Sequence, residues 1–590
     1  MTLWPFVLLT LASVSAFGAS GDVALTLNGT RAAAGDYKPS AVEALTLSNG
    51  LISITFGPDG SASSLLKDGH ELAHNLNGIV PRDKDAHRTW YIDYNAGSGH
   101  LVADVIRIVE VTPSVAHIAV IDLGPEGSAH SAFPMEHHIL LRKGESGLYG
   151  YVICRNPNNR RLGGEMRSMY RLDRDIFDWA YVSERTGQQP RYADLVKYPS
   201  VQDETWQLPD GSIYQKYDYS AYLAETPVWG HYGHGFGVWF MPVSTEYYAG
   251  GPLRQDLLVH QDALILNYFQ GSHYGGGGTE NFKDGVKLFG PWFTYINSGD
   301  NAAMIADAKK KAQAEQARWP YQWMADPLYP VSRTKVIGQL KLAGGASAAD
   351  AMVVLAKPGQ EIYKQGGDFI FHAKADARGN FVVPNVRPGT CALYAYASQG
   401  GVTGQMEKDD VVVSGPAANL GVIPWTPTAY RTLLWKIGTS DRMAGEFKFG
   451  NELRNIKWVG MVPADLTYTV GKSKEHEEWY FAQGKPGHWD VVFTDAGSRA
   501  GNAHLTVAIA GVSGNPHLTI LVNGKEIKNL AYQNDAATYR AAVRSARYQL
   551  EDITFPADLL TPGENTVRLN MTAVGKNGGI MYDVIKLEIE

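Results

Sequence analysis

The chain has 590 residues, more than one hydrophobic core usually holds, so we expect about two to four domains. Hydrophobic residues make up 44% of the chain and charged residues 19%, proportions that exclude a disordered chain and a fibre. The net charge of −7, without long runs of Lys or Arg, argues against a nucleic-acid partner, and two cysteines are too few for a cysteine-based zinc site.

The N-terminal segment is typical of a secretory signal peptide. An apolar run at residues 4–14 is too short to span a bilayer, and small residues follow it up to Ala19. No other run of about 18 or more apolar residues is present to anchor the chain in a membrane. We therefore predict a signal peptide over residues 1–19 and a secreted, extracellular protein, with a buried N-terminal strand as the alternative.

The first domain, predicted over residues 20–330, has the pattern of antiparallel sheets. Apolar residues alternate along residues 45–56, and the Asn49-Gly50 pair within them is a strong hairpin signal. The exception is the stretch from Asn301 to Arg318, which is rich in Ala and Lys and predicts one helix that closes the domain.

Two further β domains are predicted to follow. Short strands at even spacing, with Gly and Pro turns, favour a small β-sandwich over residues 331–424. Residues 425–590 again offer strands, and a second sandwich of jelly-roll type is the natural interpretation. Cys154 and Cys391 fall in different predicted domains, so we predict no disulfide between them.

A glycine-rich segment at residues 271–278 contains the candidate His273. The segment lacks the Gly-Lys-Ser/Thr ending of a phosphate-binding loop, so nucleotide binding is excluded. Its glycines favour a chain end that approaches a long ligand, with His273 at the mouth of a strand, where an imidazole can act as an acid or a base. A satisfied structural histidine is the alternative.

Two other segments carry cationic candidates. Lys216 lies among the tyrosines of residues 214–219, where partial burial or a nearby cation would favour a neutral amine. The alternative is a lysine whose stem covers aromatic rings. Arg167 and Arg171 share one face if their segment is extended, which suits an anionic ligand, although ordinary surface charge explains them equally well.

No metal site is predicted from the histidines. His231 and His234 can chelate an ion only if their Gly-rich segment is helical or tightly turned. His137 and His138 are adjacent and point to opposite faces of a strand, so they cannot bind one ion together.

Eight short motifs follow one another along nearly the whole chain after the predicted signal peptide. They are Tyr170-Arg171-Leu172, Lys216-Tyr217-Asp218-Tyr219-Ser220, Gly250-Gly251-Pro252-Leu253-Arg254-Gln255, Ser272-His273-Tyr274, Phe289-Gly290-Pro291, Trp319-Pro320-Tyr321, Val386-Arg387-Pro388-Gly389 and Gly579-Ile580-Met581-Tyr582-Asp583. In this order and spacing they resemble the rhamnogalacturonan lyases of polysaccharide lyase family 4.

The resemblance implies an all-β fold and a polysaccharide substrate. In the family, a large catalytic β-sandwich of galactose-mutarotase-like type is followed by a fibronectin type III-like β-sandwich and a C-terminal jelly roll resembling carbohydrate-binding modules. This plan agrees with the three domains predicted above. The implied substrate is rhamnogalacturonan I of pectin, and the implied reaction is β-elimination at the rhamnosyl-(1→4)-galacturonate bond.

The resemblance also implies three catalytic residues. Removal of the C5 proton beside a carboxylate builds a dianion, so a cation must neutralise that carboxylate, and Arg171 is the candidate. Lys216 matches the family's active-site lysine and is interpreted as the base, which a nearby arginine would help to keep neutral. His273 matches the family's essential histidine and would protonate the departing O4. The sequence leaves the roles of Lys216 and His273 interchangeable.

Four further residues are candidate substrate contacts. Tyr268 lies in a strand-like run that leads to His273 and could stack on a sugar, with a core aromatic as the alternative. Glu315 resembles a family carboxylate that orients the lysine or a sugar hydroxyl, with a helix-surface glutamate as the alternative. Tyr217 and Arg167 complete the set. We expect no cofactor in the chemical step, and a structural calcium ion is left open.

Two alternatives from other classes remain. A non-catalytic pectin-binding protein would be marked by loss of Lys216 or His273, and both are present. A glycoside hydrolase would need two carboxylates at the cleft. We expect a monomer that binds the polysaccharide and has no nucleic-acid or membrane partner. In the third domain, Trp435, Trp458 and Trp479 fit a core better than a sugar-binding platform.

Overall fold

The computed structural model describes most of the chain and leaves the predicted signal peptide outside it. Ser272 and residues 276–278 of the glycine-rich segment also lie outside the described residues. None of the helices in the described part combines the length and the apolar character that a bilayer crossing requires. The described residues are 21–73, 89–94, 99–127, 133–156, 165–271, 273–275, 285–399, 402–427, 432–452, 458–497, 499–540, 542–545 and 547–590.

Two large antiparallel sheets face each other across one hydrophobic core in the first part of the chain. Alternating apolar residues of both sheets fill this core, among them Leu45, Trp90, Ile139 and Trp292. In the described part, eleven strands form the first sheet: Thr30–Arg31, Ala24–Leu27, Leu45–Ser48, Ile52–Phe56, Ala62–Lys67, Trp90–Tyr94, Met166–Arg171, Leu264–Gln270 and Val259–His260, with His70–Glu71 and Gly99–His100 beside them. Ten form the second: Arg185–Gln188, Trp179–Val182, Trp229–Gly233, Phe236–Met241, Gly285–Ser298, Gly147–Asn156, Met135–Arg142, Val115–Asp122, Val105–Val111 and Gly35–Tyr37.

The predicted hairpin and the predicted helix are both confirmed. Leu45–Ser48 pairs with Ile52–Phe56, and Gly50 adopts a φ of 81° in the turn. The helix Asn301–Arg318 begins at Asp300, whose carboxylate accepts a hydrogen bond from the Ala303 amide at 3.0 Å. Its buried side chains pack on the outer face of the ten-stranded sheet.

Short elements beside the eleven-stranded sheet position the candidate site. A 3-10 turn, Lys216–Tyr219, lies next to the edge strand Val259–His260. Three strands lead into this turn: Ser200–Gln202, Thr205–Gln207 and Ile213–Gln215. Ser220–Tyr222 follows the turn and pairs with Gln255–Leu257.

Two smaller β-sandwiches follow, each with its own core. The first contains Asn380–Val386, Thr334–Leu342 and Ala417–Trp425 in one sheet and Phe371–Lys374, Met352–Ala356, Gly389–Tyr396 and Gln405–Val413 in the other. The second contains Thr432–Gly438, Gly579–Ile589, Asn502–Ser513 and Gln549–Pro556 in one sheet and Leu466–Thr469, Gly487–Asp495, Gly563–Ala573, His517–Val522 and Lys525–Ala531 in the other. The remaining helical turns are Pro39–Ala41, Gly124–Glu126, Tyr192–Leu195, Leu223–Glu225, Gly251–Leu253, Ile362–Lys364, Trp458–Met461, Glu475–Glu478, Thr538–Arg540 and Ala557–Leu559.

Two further predictions, on the tryptophans of the C-terminal sandwich and on the two cysteines, are confirmed. Trp435, Trp458 and Trp479 are all buried in the core of the C-terminal sandwich and form no exposed platform. Cys154 and Cys391 are both free cysteines.

Candidate active site

Arg167 lies on the outer face of the eleven-stranded sheet, between neighbours on both sides. The strand register places Asp93 and Tyr268 directly opposite it on the two adjacent strands. Its Nε and Nη2 donate to Asp93 at 2.7 and 2.9 Å, and its Nη1 donates to the Tyr268 hydroxyl at 2.6 Å and to Glu165 at 3.2 Å. Two carboxylates therefore balance the charge of Arg167, and its hydrogen bonds hold Asp93, Glu165 and Tyr268 together on this face.

Arg171 shares this face, as the spacing predicts. Arg167 and Arg171 point outward, while Tyr170 between them points into the core and reaches Thr294 across it at 2.7 Å. The Nε of Arg171 donates to the Tyr91 hydroxyl at 2.9 Å. The alternation of one strand thus places both guanidinium groups on the same face of the sheet.

His273 follows the strand Leu264–Gln270 and stands between two carboxylates. Its Nδ1 lies 3.1 Å from Asp256 and its Nε2 lies 3.4 Å from Glu165. The rings of Tyr217 and Tyr268 meet the imidazole edge to face, with centroids 5.7 and 5.2 Å away. An imidazolium, with a proton on each ring nitrogen, fits two carboxylate partners at once.

Asp256 is itself held by a fully buried arginine. Arg254 donates from Nη2 to Asp256 at 3.0 Å and to the Tyr268 carbonyl at 2.7 Å, and from Nη1 to the Ala249 carbonyl at 3.0 Å. The carboxylate is therefore fixed before it meets His273. Arg254 belongs to the motif at residues 250–255, so a signal for this part of the site was present in the sequence.

Lys216 opens the 3-10 turn and borders the same tyrosine as His273. Its Nζ lies 5.0 Å from the ring centroid of Tyr217 and 3.7 Å from Asp203. The Tyr217 hydroxyl donates to Asp203 at 2.5 Å. Burial raises the pKa of Tyr217 far above its ordinary value, so this hydroxyl stays protonated as a donor. Lys216 and His273 therefore both border one fixed ring.

Two of the predicted substrate contacts are corrected by their burial. Only 1% of Tyr268 is exposed, and its hydroxyl accepts from Arg167 while its ring packs against His273. A buried ring offers no face to a sugar, so the stacking expectation for Tyr268 is wrong. Tyr217 is equally buried and contacts both Lys216 and His273. Both tyrosines hold other side chains in place.

Glu315 lies on the opposite side of the domain. It is fully buried between the helix Asn301–Arg318 and the ten-stranded sheet, where it accepts from the hydroxyls of Tyr321 at 2.5 Å and Tyr149 at 3.2 Å. Its other oxygen lies 2.9 Å from both Lys311 and Arg318. The interpretation that Glu315 orients Lys216 or a sugar hydroxyl is therefore corrected: the helix turns it inward, away from the site.

A residue of the C-terminal sandwich also enters the site, and no sequence motif pointed to it. Arg540 donates from Nη1 to the His273 carbonyl at 2.8 Å. Its guanidinium carbon lies 4.9 Å from the ring centroid of Tyr217, and its Nη2 lies 3.8 Å from Asp203.

Gly275, two residues after His273, also faces that sandwich. Gly275 has a φ of 69°, and a Cβ at this position would lie 2.5 Å from atoms of both Asp535 and Ser545. The expectation that the glycines admit a ligand is corrected at Gly275, which admits the C-terminal sandwich instead.

No metal centre is seen in this part of the molecule. Within the described ranges, no group of three or more His, Cys, Asp or Glu side chains is arranged to hold an ion. His231 is fully buried, with its ring nitrogens 3.0 and 3.2 Å from the carbonyls of Leu264 and Trp179. It is a satisfied core histidine.

Comparison with known proteins gives consistent matches. Residues 346–420 and 433–587 match the family models of polysaccharide lyase family 4, domain II and domain III. The rhamnogalacturonate lyase of Dickeya dadantii (strain 3937) is 38% identical over 99% of this chain and 98% of its own. Rhamnogalacturonate lyase B of Emericella nidulans is 25% identical over 92% and 96%. Among solved structures, a galactose mutarotase-like protein from Lactobacillus casei ATCC 334 matches 43% of this chain and 100% of its own at 9% identity, with a TM-score of 0.27.

Proposed function

We propose that this chain, which belongs to polysaccharide lyase family 4, is a rhamnogalacturonan lyase that cleaves the rhamnosyl-(1→4)-galacturonate bonds of rhamnogalacturonan I by β-elimination. The 38% identity to the Dickeya enzyme over nearly the whole chain supports the reaction class. The observation that carries the proposal is that Lys216 and His273 both border the Tyr217 ring, at 5.0 and 5.7 Å from its centroid. An amine and an imidazole so placed can serve the two proton transfers of an elimination.

The first transfer takes the C5 proton of galacturonate. The neutral amine of Lys216 accepts this proton, and the electrons of the C5–H bond form the C4–C5 double bond. Negative charge builds on the neighbouring carboxylate as the bond breaks, and Arg171, on the same sheet face, supplies the positive charge that stabilises it. The Arg171 guanidinium is held in place by the hydrogen bond that its Nε donates to the Tyr91 hydroxyl at 2.9 Å.

The second transfer completes the leaving group. The C4–O4 bond breaks, its electrons pass to O4, and His273 donates a proton to that oxygen. One product ends in an unsaturated galacturonate and the other in a rhamnose with a free reducing end. In galacturonate the C5 proton and O4 lie on opposite faces of the ring, so the base and the acid must approach from two sides.

The contacts favour His273 as the acid and Lys216 as the base. Both nitrogens of His273 face carboxylates, at 3.1 Å from Asp256 and 3.4 Å from Glu165, which fits a ring that carries two protons. The Lys216 amine forms a longer ion pair, with Asp203 at 3.7 Å.

The chemistry proposed here uses side chains alone. Arg171 supplies the positive charge at the substrate carboxylate, so we propose that turnover needs no cofactor. A structural calcium ion and export of the chain stay predictions. A polymer found outside the cell as substrate supports export.

The test is ultraviolet absorbance of the unsaturated product. The purified chain is incubated with rhamnogalacturonan I and, separately, with homogalacturonan, each with and without a chelator, and reducing ends are counted in parallel. We expect absorbance to rise on rhamnogalacturonan I alone and to survive the chelator. New reducing ends without absorbance would mean a hydrolase, and neither signal would leave a binding protein.

A further inference from the structure

A segment of the C-terminal sandwich packs against the catalytic domain. We name its described residues, 532–540, 542–545, 547 and 548, the docking loop. Within it, the Tyr539 carbonyl accepts from Gln202 at 2.9 Å, and the Ser545 hydroxyl donates to the Tyr274 carbonyl at 3.2 Å. Arg544 donates to Glu225 at 3.1 Å. The loop therefore touches the catalytic domain at several points near the chain that carries His273.

Arg540 is the member of the docking loop that meets the catalytic residues. Its three contacts, with the His273 carbonyl, the Tyr217 ring and Asp203, lie around one guanidinium. The first contact fixes the backbone of the acid. The other two bear on the ring and the carboxylate that border Lys216, since Asp203 lies 3.7 Å from its amine.

The chain around His273 is otherwise supported by the same sandwich. Tyr274 is fully buried, donates to Ser220 at 2.5 Å and packs in the core cluster of the C-terminal sandwich. Gly275 leaves no room for a side chain against Asp535 and Ser545. The position of His273 thus depends on a sandwich that begins more than 150 residues later in the chain.

We propose that Arg540 is a positioning residue of the elimination and that the C-terminal sandwich is a working part of the active site. Arg540 holds the backbone of His273 and the Tyr217–Asp203 pair in one arrangement, which sets the distance between the acid and the base. A planar guanidinium suits this task, because it can donate to a carbonyl and cover an aromatic ring at the same time. The inference rests on the proposed function, since it assigns Arg540 to that reaction.

The same loop offers a matched control. Arg544 is also an arginine of the docking loop, also stacks on a tyrosine, with its guanidinium carbon 3.4 Å from the ring centroid of Tyr222, and also pairs with a carboxylate. Its contacts within the described residues are with Tyr222, Glu225 and Met443, not with the catalytic residues. Loss of Arg544 weakens docking alone, whereas loss of Arg540 weakens docking and the catalytic arrangement.

The experiment compares the full-length chain with its Arg540→Ala, Arg540→Lys and Arg544→Ala variants on rhamnogalacturonan I. For Arg540→Ala we expect kcat to fall about ten- to hundredfold with KM within about threefold, because a displacement of about 1 Å costs that much in a proton-transfer site. Arg540→Lys keeps the charge over the ring and should recover part of the loss. Arg544→Ala should stay within about threefold of the parent.

Two readouts separate positioning from folding. A limb of the pH profile of kcat/KM should move in Arg540→Ala and stay fixed in Arg544→Ala, since the profile reports the acid and the base. Added methylguanidinium should partly restore Arg540→Ala and leave Arg544→Ala unchanged. Thermal unfolding of each variant checks the fold, and if Arg540→Ala fails to fold, Arg540→Lys carries the same comparison.

The outcomes are distinct. Parent-like kcat in Arg540→Ala, or equal losses in both alanine variants with fixed pH profiles and no rescue, would overturn the inference and leave the loop a docking element only. Absence of unsaturated product from the parent chain would instead overturn the proposed function. A selective, rescuable loss in Arg540→Ala supports both.

Discussion

Two clusters of charged residues lie on opposite outer faces of the catalytic domain and differ in what they leave open. The helix cluster consists of Glu315, Glu145, Lys311 and Arg318, with Glu315 fully buried and both of its oxygens occupied. The site cluster surrounds Lys216 and His273, whose side chains keep 10% and 11% of their surface exposed. Paired charges hold these two reactive groups without covering them. A charged cluster whose side chains are buried and whose hydrogen-bonding atoms are all paired is therefore structural. A cluster that leaves a titratable side chain partly exposed is a candidate for catalysis.

The largest effect should come from removing the open groups of the site cluster. Lys216→Ala and His273→Ala should each lower kcat on rhamnogalacturonan I by at least about a hundredfold, the range for loss of a general base or acid. Thermal unfolding should show a folded chain in both variants, because the buried Asp256 keeps its ion pair with Arg254. The exposed-surface variant His70→Ala serves as the control. A near-parent rate in either alanine variant would remove that residue from the mechanism.

The helix cluster should respond in the opposite way. Glu315→Gln keeps the shape but removes the charge that faces Lys311 and Arg318. Both cations keep Glu145 as a partner, so we expect a loss of about 1–3 kcal/mol of unfolding free energy, the range for a weakened buried hydrogen-bond acceptor. Denaturant unfolding measures this loss, with kcat of the remaining folded protein within about twofold of the parent. A stable variant with a large loss of kcat would return Glu315 to the active site and break the contrast between the clusters.

The sequence predicted the elements better than their meeting points. Alternation placed Arg167 and Arg171 on one face, because the period of a strand is local. The pairing of His273 with Asp256 and Glu165 depends on which strands and loops come together, and no local period encodes that. Arg540 reaches His273 from 267 positions away. The burial of Glu315 was readable, since it continues the helical series of Met304, Ala308 and Ala312.

Arg171→Lys should give an intermediate loss of kcat/KM and tests the role of the guanidinium at position 171. A lysine keeps one positive charge but loses the fork that holds Tyr91 and faces a carboxylate. A hydrogen bond to a charged group contributes about 1.5–3 kcal/mol, so kcat/KM should fall roughly ten- to hundredfold. Arg107→Lys is the control, since the partly exposed Arg107 pairs with Asp36 on the ten-stranded sheet. A change in KM alone for Arg171→Lys would make Arg171 a binding residue.

The smallest effect concerns Glu145, at the open edge of the helix cluster. Burial alone would raise the pKa of Glu145, but the hydrogen bonds and charges of Lys311 and Arg318 outweigh it and hold that pKa below its usual value. A lowered pKa in the folded state stabilises the fold above the unfolded pKa of about 4.5, and this contribution is lost as the pH falls through the folded value. At pH 7 the free energy of unfolding of Glu145→Gln should therefore be lower than that of the parent by about 1 kcal/mol or less. At a low pH, where Glu145 is protonated in both the folded and the unfolded state, the two proteins should be equally stable. Turnover at pH 7 should be unchanged, since the helix cluster lies across the sandwich from His273. A difference in stability that persists at low pH would show that packing and not charge holds Glu145 in place.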